Sequence, residues 1–168
     1  RRDVRSVLDW LAVDGPPRVL FVSTHTAEKT GRLAEIEELC GGSCERFVGV
    51  PHDPPLETVS AIRDQACEAE VDAVVAIGGG SVIDAAKAGA ILVPAEGSIE
   101  DYFHGHRELT DPGLPVIALP TTAGTGAEIT KNSVLTDPIT RVKKSLRSRH
   151  MVPFAAIVDP ELTVTMPA

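Results

Sequence analysis

A chain of 168 residues with 43% hydrophobic and 24% charged side chains has the size and composition of one globular domain with a substantial core. Its formal net charge of -8 argues against a nucleic-acid partner, because a phosphate backbone recruits clustered Lys and Arg. No apolar run approaches the roughly 20 residues that span a bilayer and no basic leader precedes a short apolar segment, so no membrane partner is expected and the expected location is cytoplasmic.

Arg1 to Val13 reads as a short amphipathic helix ended by Asp14-Gly-Pro-Pro17, and Arg18 to Ser23 as the first core strand. Thr24 to Thr30 is the loop and start of a helix that Gly31 to Cys40 continues, with Leu33, Ile36 and Leu39 at helical spacing and Gly41-Gly42 ending it. Cys44 to Val50 reads as a second strand, Pro51-His-Asp-Pro-Pro55 as a turn, and Glu57 to Ala69 as a helix. The cysteines are Cys40, Cys44 and Cys67. An odd set without an export signal predicts reduced thiols; Cys40-Gly-Gly-Ser-Cys44 has no second ligand pair nearby and reads as thiols beside a turn rather than a zinc site.

Ala73 to Ile77 has the length and β-branched content of a strand buried on both faces, and Val82 to Leu92 the period and propensity of a packed helix. Between them Gly78, Gly79 and Gly80 carry no Cβ, so the backbone can take positive φ and a ligand can approach it closely. Ser81 reads as the N-cap, with Asp84 three residues on at capping-box spacing. Free N–H groups and the positive end of the helix dipole then face the turn, a ready site for a phosphate. Three β-α units with short connections imply a parallel sheet covered by helices.

From Pro94 to Asp111 the chain loosens and reads as a solvated loop; His104 and His106 lack the supporting ligands that a metal site needs. His25, His52 and His150 read as loop residues. Val116 to Leu119 is a buried strand whose ladder Pro120 stops. Thr121, Thr122 and Thr125 then offer hydroxyl donors, and Gly124 and Gly126 let backbone N–H groups turn inward as an anion-binding nest. Two such loops at the carboxyl ends of two parallel strands fit the crevice rule for open α/β sheets and suggest one diphosphate held from both sides. Asn132 to Thr136 resumes as strand, Asp137-Pro138 turns, and Arg141 to Ser145 is a dense cationic cluster. Ala155 to Asp159 is a last buried strand, closed by Pro160.

Gly78-Gly-Gly-Ser-Val-Ile-Asp-Ala-Ala-Lys87, Pro120-Thr-Thr-Ala-Gly-Thr-Gly-Ala-Glu-Ile-Thr130 and Asp159-Pro-Glu-Leu-Thr163 followed by Pro167 resemble the N-terminal half of the iron-containing (group III metal-dependent) alcohol dehydrogenases, of the dehydroquinate synthase-like superfamily. The resemblance implies one dinucleotide-binding domain over residues 1–168, an α/β Rossmann-like parallel sheet with flanking helices. It also implies an oxidoreductase that moves a hydride between NAD or NADP and an alcohol or aldehyde substrate, in an assembly that is often a homodimer. Fe²⁺ or Zn²⁺ would be held by one Asp and three His of a helical C-terminal domain expected beyond Ala168, so no metal ligand and no catalytic residue is expected here. This chain alone should not turn over.

Carried over by position, Gly79, Gly80 and Ser81 would hold the diphosphate with Gly78 beside them and Asp84 near the cofactor. Thr121, Thr122 and Thr125 would contact diphosphate and nicotinamide ribose, and Thr130, Asn132 and Lys143 complete the pocket. Asp53, in the turn after the second strand, is counted with the cofactor-binding positions. One departure stands at Thr24, where NAD-preferring members carry an Asp; loss of that carboxylate removes its repulsion of a 2′-phosphate and admits NADP. The Ser23-Thr24 pair also resembles the metal-free maleylacetate reductases, which form one alternative; a non-catalytic nucleotide-binding module is another.

Overall fold

The computed structural model describes residues 2–12 and 15–164; Asp14 of the first turn and Pro167 of the third motif lie outside the described residues. In chain order the elements are α1 (Arg2–Leu11), β1 (Val19–Ser23), α2 (His25–Lys29), α3 (Arg32–Glu37), β2 (Cys44–Val48), α4 (Leu56–Glu68) and β3 (Ala73–Gly78). They continue with α5 (Gly80–Leu92), α6 (Ile99–His104), β4 (Val116–Pro120), β5 (Asn132–Asp137), β6 (Val142–Arg147) and β7 (Ala155–Ala156).

The central sheet is the parallel, Rossmann-like one that the β-α alternation implies, in the order β2-β1-β3-β4-β7. β1, β3 and β4 are buried along their whole length, which is why they are near-continuous Val, Ile, Leu, Ala and Phe rather than alternating. Successive side chains go to opposite faces. Leu20, Val22, Val74, Ala76, Val116 and Ala118 pack with Ile62 of α4 and Val82, Ile83 and Ala86 of α5. Val19, Phe21, Val75, Ile77, Ile117 and Leu119 pack with Val4 and Leu8 of α1 and Leu33 and Ile36 of α3. A third cluster ties Leu135 and Leu146 of the β5–β6 hairpin to Leu56, Ile91, Ile99 and Phe103.

From β1 the chain passes to β2 on one side and returns through β3 on the other, where the sheet continues to β4 and β7. The reversal falls between the carboxyl ends of β1 and β3, the place where open α/β sheets bind ligands.

Several local expectations are corrected. The helix expected from Thr24 to Cys40 is two helices, because Gly31 sits at φ 77 and breaks the ladder between α2 and α3. β2 ends at Val48 rather than Val50; the N–H groups of Gly49 and Val50 both donate to the Ser23 carbonyl, at 3.0 and 3.2 Å. The stretch 94–111, expected as a loop, contains α6, whose start is held by the Ser98 N–H donating to the Asp101 carboxylate at 3.0 Å. β6 is a strand where the sequence showed only cationic residues, and β7 is two residues long instead of running to Asp159. Asp159 instead caps the 3-10 turn Pro160–Leu162, accepting from the Glu161 N–H at 2.9 Å.

α5 packs closely on α4 because residue 89 is glycine. A Cβ there would lie 2.9 Å from Ile62 Cβ and closer still to its Cγ2, and both positions are buried. Overpacking of this kind costs about 1–3 kcal/mol, against about 1 kcal/mol gained by replacing a helical Gly with Ala. Gly89→Ala should therefore lower stability by up to about 2 kcal/mol, read as a reduced urea midpoint at unchanged m-value; a raised midpoint would show that α4 and α5 separate without cost.

Candidate functional site

At the carboxyl end of β3 the chain turns through Gly79 into α5, which starts at Gly80. This corrects the reading of Ser81 as N-cap: Gly79 holds that position, makes no side-chain cap hydrogen bond, and its carbonyl accepts from Val82 and Ile83 at 3.0 and 3.2 Å. Ser81 lies inside the first turn, and Asp84 is not part of a capping box. Nor do Gly78, Gly79 and Gly80 take positive φ.

What the triplet supplies is room. A Cβ on Gly78 would stand 2.5 Å from Val82 Cγ2, one on Gly79 3.1 Å from Thr122 Oγ1, and one on Gly80 3.0 Å from Thr125 Cγ2. The threonine loop after β4 thus closes directly on the turn. The N–H groups of Gly80 and Ser81 precede the helical ladder of a thirteen-residue helix, at the positive end of its dipole.

The loop itself is fixed from both ends. The ladder runs one step past Pro120, which was expected to stop it: the Thr121 N–H donates to the Gly78 carbonyl at 3.0 Å. Gly124 (φ 103) and Gly126 (φ 64) make the turns expected of them, a 3-10 turn follows over Ala127–Ile129, and Thr125 Oγ1 accepts from the Ala127 N–H at 3.4 Å.

Asp53, Gly80, Ser81, Asp84, Thr125, Thr130, Asn132 and Lys143 line one cavity of about 340 Å³, joined by His52 and Val134, which the sequence reading did not include. Val134 shares with Asn132 the outward face of β5, a signal available once the strand's alternation is known. Gly78, Gly79, Thr121 and Thr122 are outside this lining but abut it through the contacts just described. Thr24 stands at the end of β1, on the other side of the sheet reversal, where its hydroxyl caps α2 by accepting from the Ala27 N–H at 3.3 Å. Ser23 beside it is fully buried and donates to the Ile77 carbonyl at 2.7 Å, so of the Ser-Thr pair only Thr24 is accessible.

The charges of the cavity are paired. Lys143 Nζ is 2.7 Å from Asp53 Oδ1, bridging β6 to the turn before α4, and this bond holds the Asp53 carboxyl below its ordinary range. Asp53 itself has φ 53, a left-handed conformation that non-glycine residues rarely adopt. Burial pushes the Asp84 carboxyl up, opposed by the Val134 N–H at 3.0 Å and by Lys87 at 3.2 Å.

Lys87 is the residue that sequence reasoning missed. Its side chain is 0% exposed and its ammonium donates to the main-chain carbonyls of Ala127, Thr130 and Asn132. The available signal was a lysine three residues from Asp84 in an otherwise apolar helix. His104, by contrast, ends α6 and lies 3.1 Å from Asp137, with its ring 6.1 Å from that of His106.

The chain is thus an open α/β domain in which a helix N-terminus without a side-chain cap lies at the reversal point of a parallel sheet, facing a hydroxyl-rich loop. Residues 2–160 match the family described as iron-containing alcohol dehydrogenase, and the chain belongs to that family. It is 40% identical over 158 residues to long-chain-alcohol dehydrogenase 1 of Geobacillus thermodenitrificans, covering 91% of this chain and 40% of that protein. To the NAD-dependent methanol dehydrogenase of Bacillus methanolicus it is 43% identical over 171 residues, covering 100% of this chain and 45% of that protein. The crystal structure of sulfoacetaldehyde reductase from Bifidobacterium kashiwanohense in complex with NAD+ matches with a TM-score of 0.90 at 33% identity, over 98% of this chain and 44% of that one. The chain thus spans less than half the length of these relatives.

Asp53 offers a test of the cavity's electrostatics. A carboxyl whose folded pKa is depressed contributes stability that is complete above its unfolded pKa and is lost as pH falls through the folded value. Lys143→Met should move the Asp53 titration upward toward the ordinary aspartate range, followed by NMR of the side-chain carboxyl carbon. An unmoved titration would show that the Lys143 contact does not hold Asp53 in solution.

Proposed function

We propose that this chain is the dinucleotide-binding domain, residues 1–168, of an NAD(P)-dependent alcohol dehydrogenase or aldehyde reductase. The observation that carries the reading is the convergence, at the sheet's reversal point, of the open N-terminus of α5 with Thr125, Thr130, Asn132 and Lys143 around one cavity. The glycine turn fits a diphosphate: Gly79 and Gly80 carry no side chains, so a ligand can approach the main chain at the start of α5 closely. The names of the relatives point to the same cofactor class.

When bound, the nicotinamide supplies hydride chemistry. The chain's own residues bind and orient. The N–H groups of Gly80 and Ser81 meet diphosphate oxygens, the hydroxyls of Thr121, Thr122 and Thr125 donate to diphosphate and ribose, and Thr130, Asn132, Asp84 and Lys143 border the remainder, with Asp53 holding Lys143. Thr24 faces the adenosine ribose without a carboxylate, so both NADH and NADPH are accepted. In this reading Fe²⁺ or Zn²⁺ would be held by residues outside 1–168 and, when bound, would supply Lewis-acid chemistry toward the substrate oxygen. Among the described residues no group of three His, Cys, Asp or Glu converges to hold a metal ion, and no step is assigned to one here. The reading carries a small alcohol or aldehyde substrate, a homodimer and a cytoplasmic location; among the described residues no helix is long and apolar enough to cross a membrane.

Calorimetric titration of the chain with NADH and with NADPH, at matched salt, tests the proposal. Binding of both is expected, and Gly79→Val should abolish it, because the branched side chain displaces Thr122 and stands over the helix N-terminus. Absence of binding to either cofactor, or full affinity in Gly79→Val, would refute the diphosphate cradle.

A further inference from the structure

Lys87 is the only buried cationic side chain among the described residues. Its Nζ lies 2.9 Å from the Ala127 carbonyl, 3.2 Å from the Thr130 carbonyl, 3.5 Å from Thr130 Oγ1 and 3.2 Å from Asp84 Oδ1, and it also donates to the Asn132 carbonyl. An ammonium has three protons to donate, so these acceptors saturate it. Three of them are main-chain carbonyls of one short segment, the stretch from the 3-10 turn to the start of β5. That segment puts Thr130 and Asn132 into the cavity wall facing Gly80 and Ser81.

Asp84 completes the arrangement one step further along. Its Oδ2 accepts from the Val134 N–H at 3.0 Å, and its main-chain carbonyl accepts from Ser133 Oγ at 2.8 Å. Residues 127–134 are thus held to α5 by polar contacts at nearly every second position. A cation placed among apolar neighbours is unfavourable unless it is fully paired, and the core around α5 needs none for its packing. Burial pushes Lys87 down and Asp84 up, while their mutual attraction opposes both shifts.

We propose that Lys87 is a positioning residue of the dinucleotide site, drawing the carbonyls of Ala127, Thr130 and Asn132 onto α5 and thereby fixing Thr130 and Asn132 opposite the helix N-terminus. The proposal rests on the dinucleotide reading of the cavity. Lys87 itself touches neither cofactor nor substrate. A purely structural lysine would differ in one respect: its loss would lower stability and leave binding by the folded protein unchanged.

The test compares Lys87→Met, which keeps the stem and removes the donors, with Leu33→Ala, a core truncation on the opposite face of the sheet. NADH affinity is measured by calorimetry where both variants are fully folded, and backbone amide exchange is measured without ligand. Lys87→Met should bind NADH at least tenfold more weakly and exchange the amides of residues 129–134 at least tenfold faster. Leu33→Ala should keep wild-type affinity and show only a uniform loss of protection. Wild-type affinity in Lys87→Met would overturn the proposal. If the unaltered chain binds neither NADH nor NADPH, the dinucleotide reading fails by itself and exchange decides alone; protection over residues 129–134 that matches Leu33→Ala would overturn the positioning role. Should Lys87→Met not fold, Lys87→Gln, which keeps two N–H donors on a shorter stem, is read against the same criteria.

Discussion

The distance between the β3–α5 turn and the loop after β4 sets the geometry of everything at this end of the sheet. A Cβ on Gly79 would crowd Thr122 at 3.1 Å and one on Gly80 would crowd Thr125 at 3.0 Å, while one on Gly78 would strike Val82. That approach lets α5 begin immediately after β3, so the helix axis points its N-terminus into the reversal of the sheet rather than past it. It also draws residues 121–130 over α5, from which β5 and the hairpin follow. Side chains at Gly79 and Gly80 would press on the loop through Thr122 and Thr125, and one at Gly78 on Val82 of α5.

α5 is buried nearly all round: Val82, Ile83, and every residue from Ala85 to Leu92 lie out of water. A helix of this kind serves as an interior post rather than a surface cover. Packing alone would let the segments around it slide, because contacts between apolar surfaces are non-directional. Past Ser81 in its first turn, Asp84 and Lys87 are the exceptions to its apolar character, and both are directed at residues 127–134. The side-chain contacts of Asp84 and Lys87 thus lie on the side of the helix where the cavity wall needs a fixed register, while packing on the sheet and α4 rests mainly on shape.

The sequence shows the sheet clearly and the periphery poorly, for identifiable physical reasons. β1, β3 and β4 are apolar runs of strand length, and such runs in a β-α alternation have few other solutions. β6 is different: Val142, Lys143 and Lys144 are exposed and the strand exists because β5 offers it a ladder, so nothing local marks it. α6 buries Ile99, Tyr102 and Phe103 at i, i+3 and i+4 behind a Ser98–Asp101 capping box, a genuine helical signal, but six residues are too few for it to stand out between Pro94 and the polar stretch after Gly105. Within the candidate site, the backbone elements were legible because glycine and threonine are informative about what the main chain does. The reasons behind them were less so. Nothing in Gly78-Gly-Gly80 distinguishes a need for positive φ from a need for space, and only the contact with Thr122 and Thr125 decides for space. Beyond its i, i+3 spacing from Asp84, the role of Lys87 left no trace in the sequence, because its other partners include main-chain carbonyls 40 or more residues away.

The electrostatic balance of the cavity follows from the same geometry. In the proposed reading, a chain of net charge -8 that takes an anionic diphosphate would have to offset its own field locally. Lys143 is the cation nearest the cavity mouth, yet Asp53 at 2.7 Å cancels most of its charge at any distance beyond the pair. Lys87 is buried and spent on Asp84 and three carbonyls, so it contributes position rather than free charge. In that reading, what would remain to meet the phosphates is the N-terminus of α5 and the hydroxyls of the threonine loop, all neutral groups. Such donors bind an anion by direction and number of hydrogen bonds and are less sensitive to salt than an exposed lysine. The threonine loop can supply that direction only if its register on α5 is fixed, which returns the argument to the close contact at Gly79 and Gly80 and to the carbonyls held by Lys87.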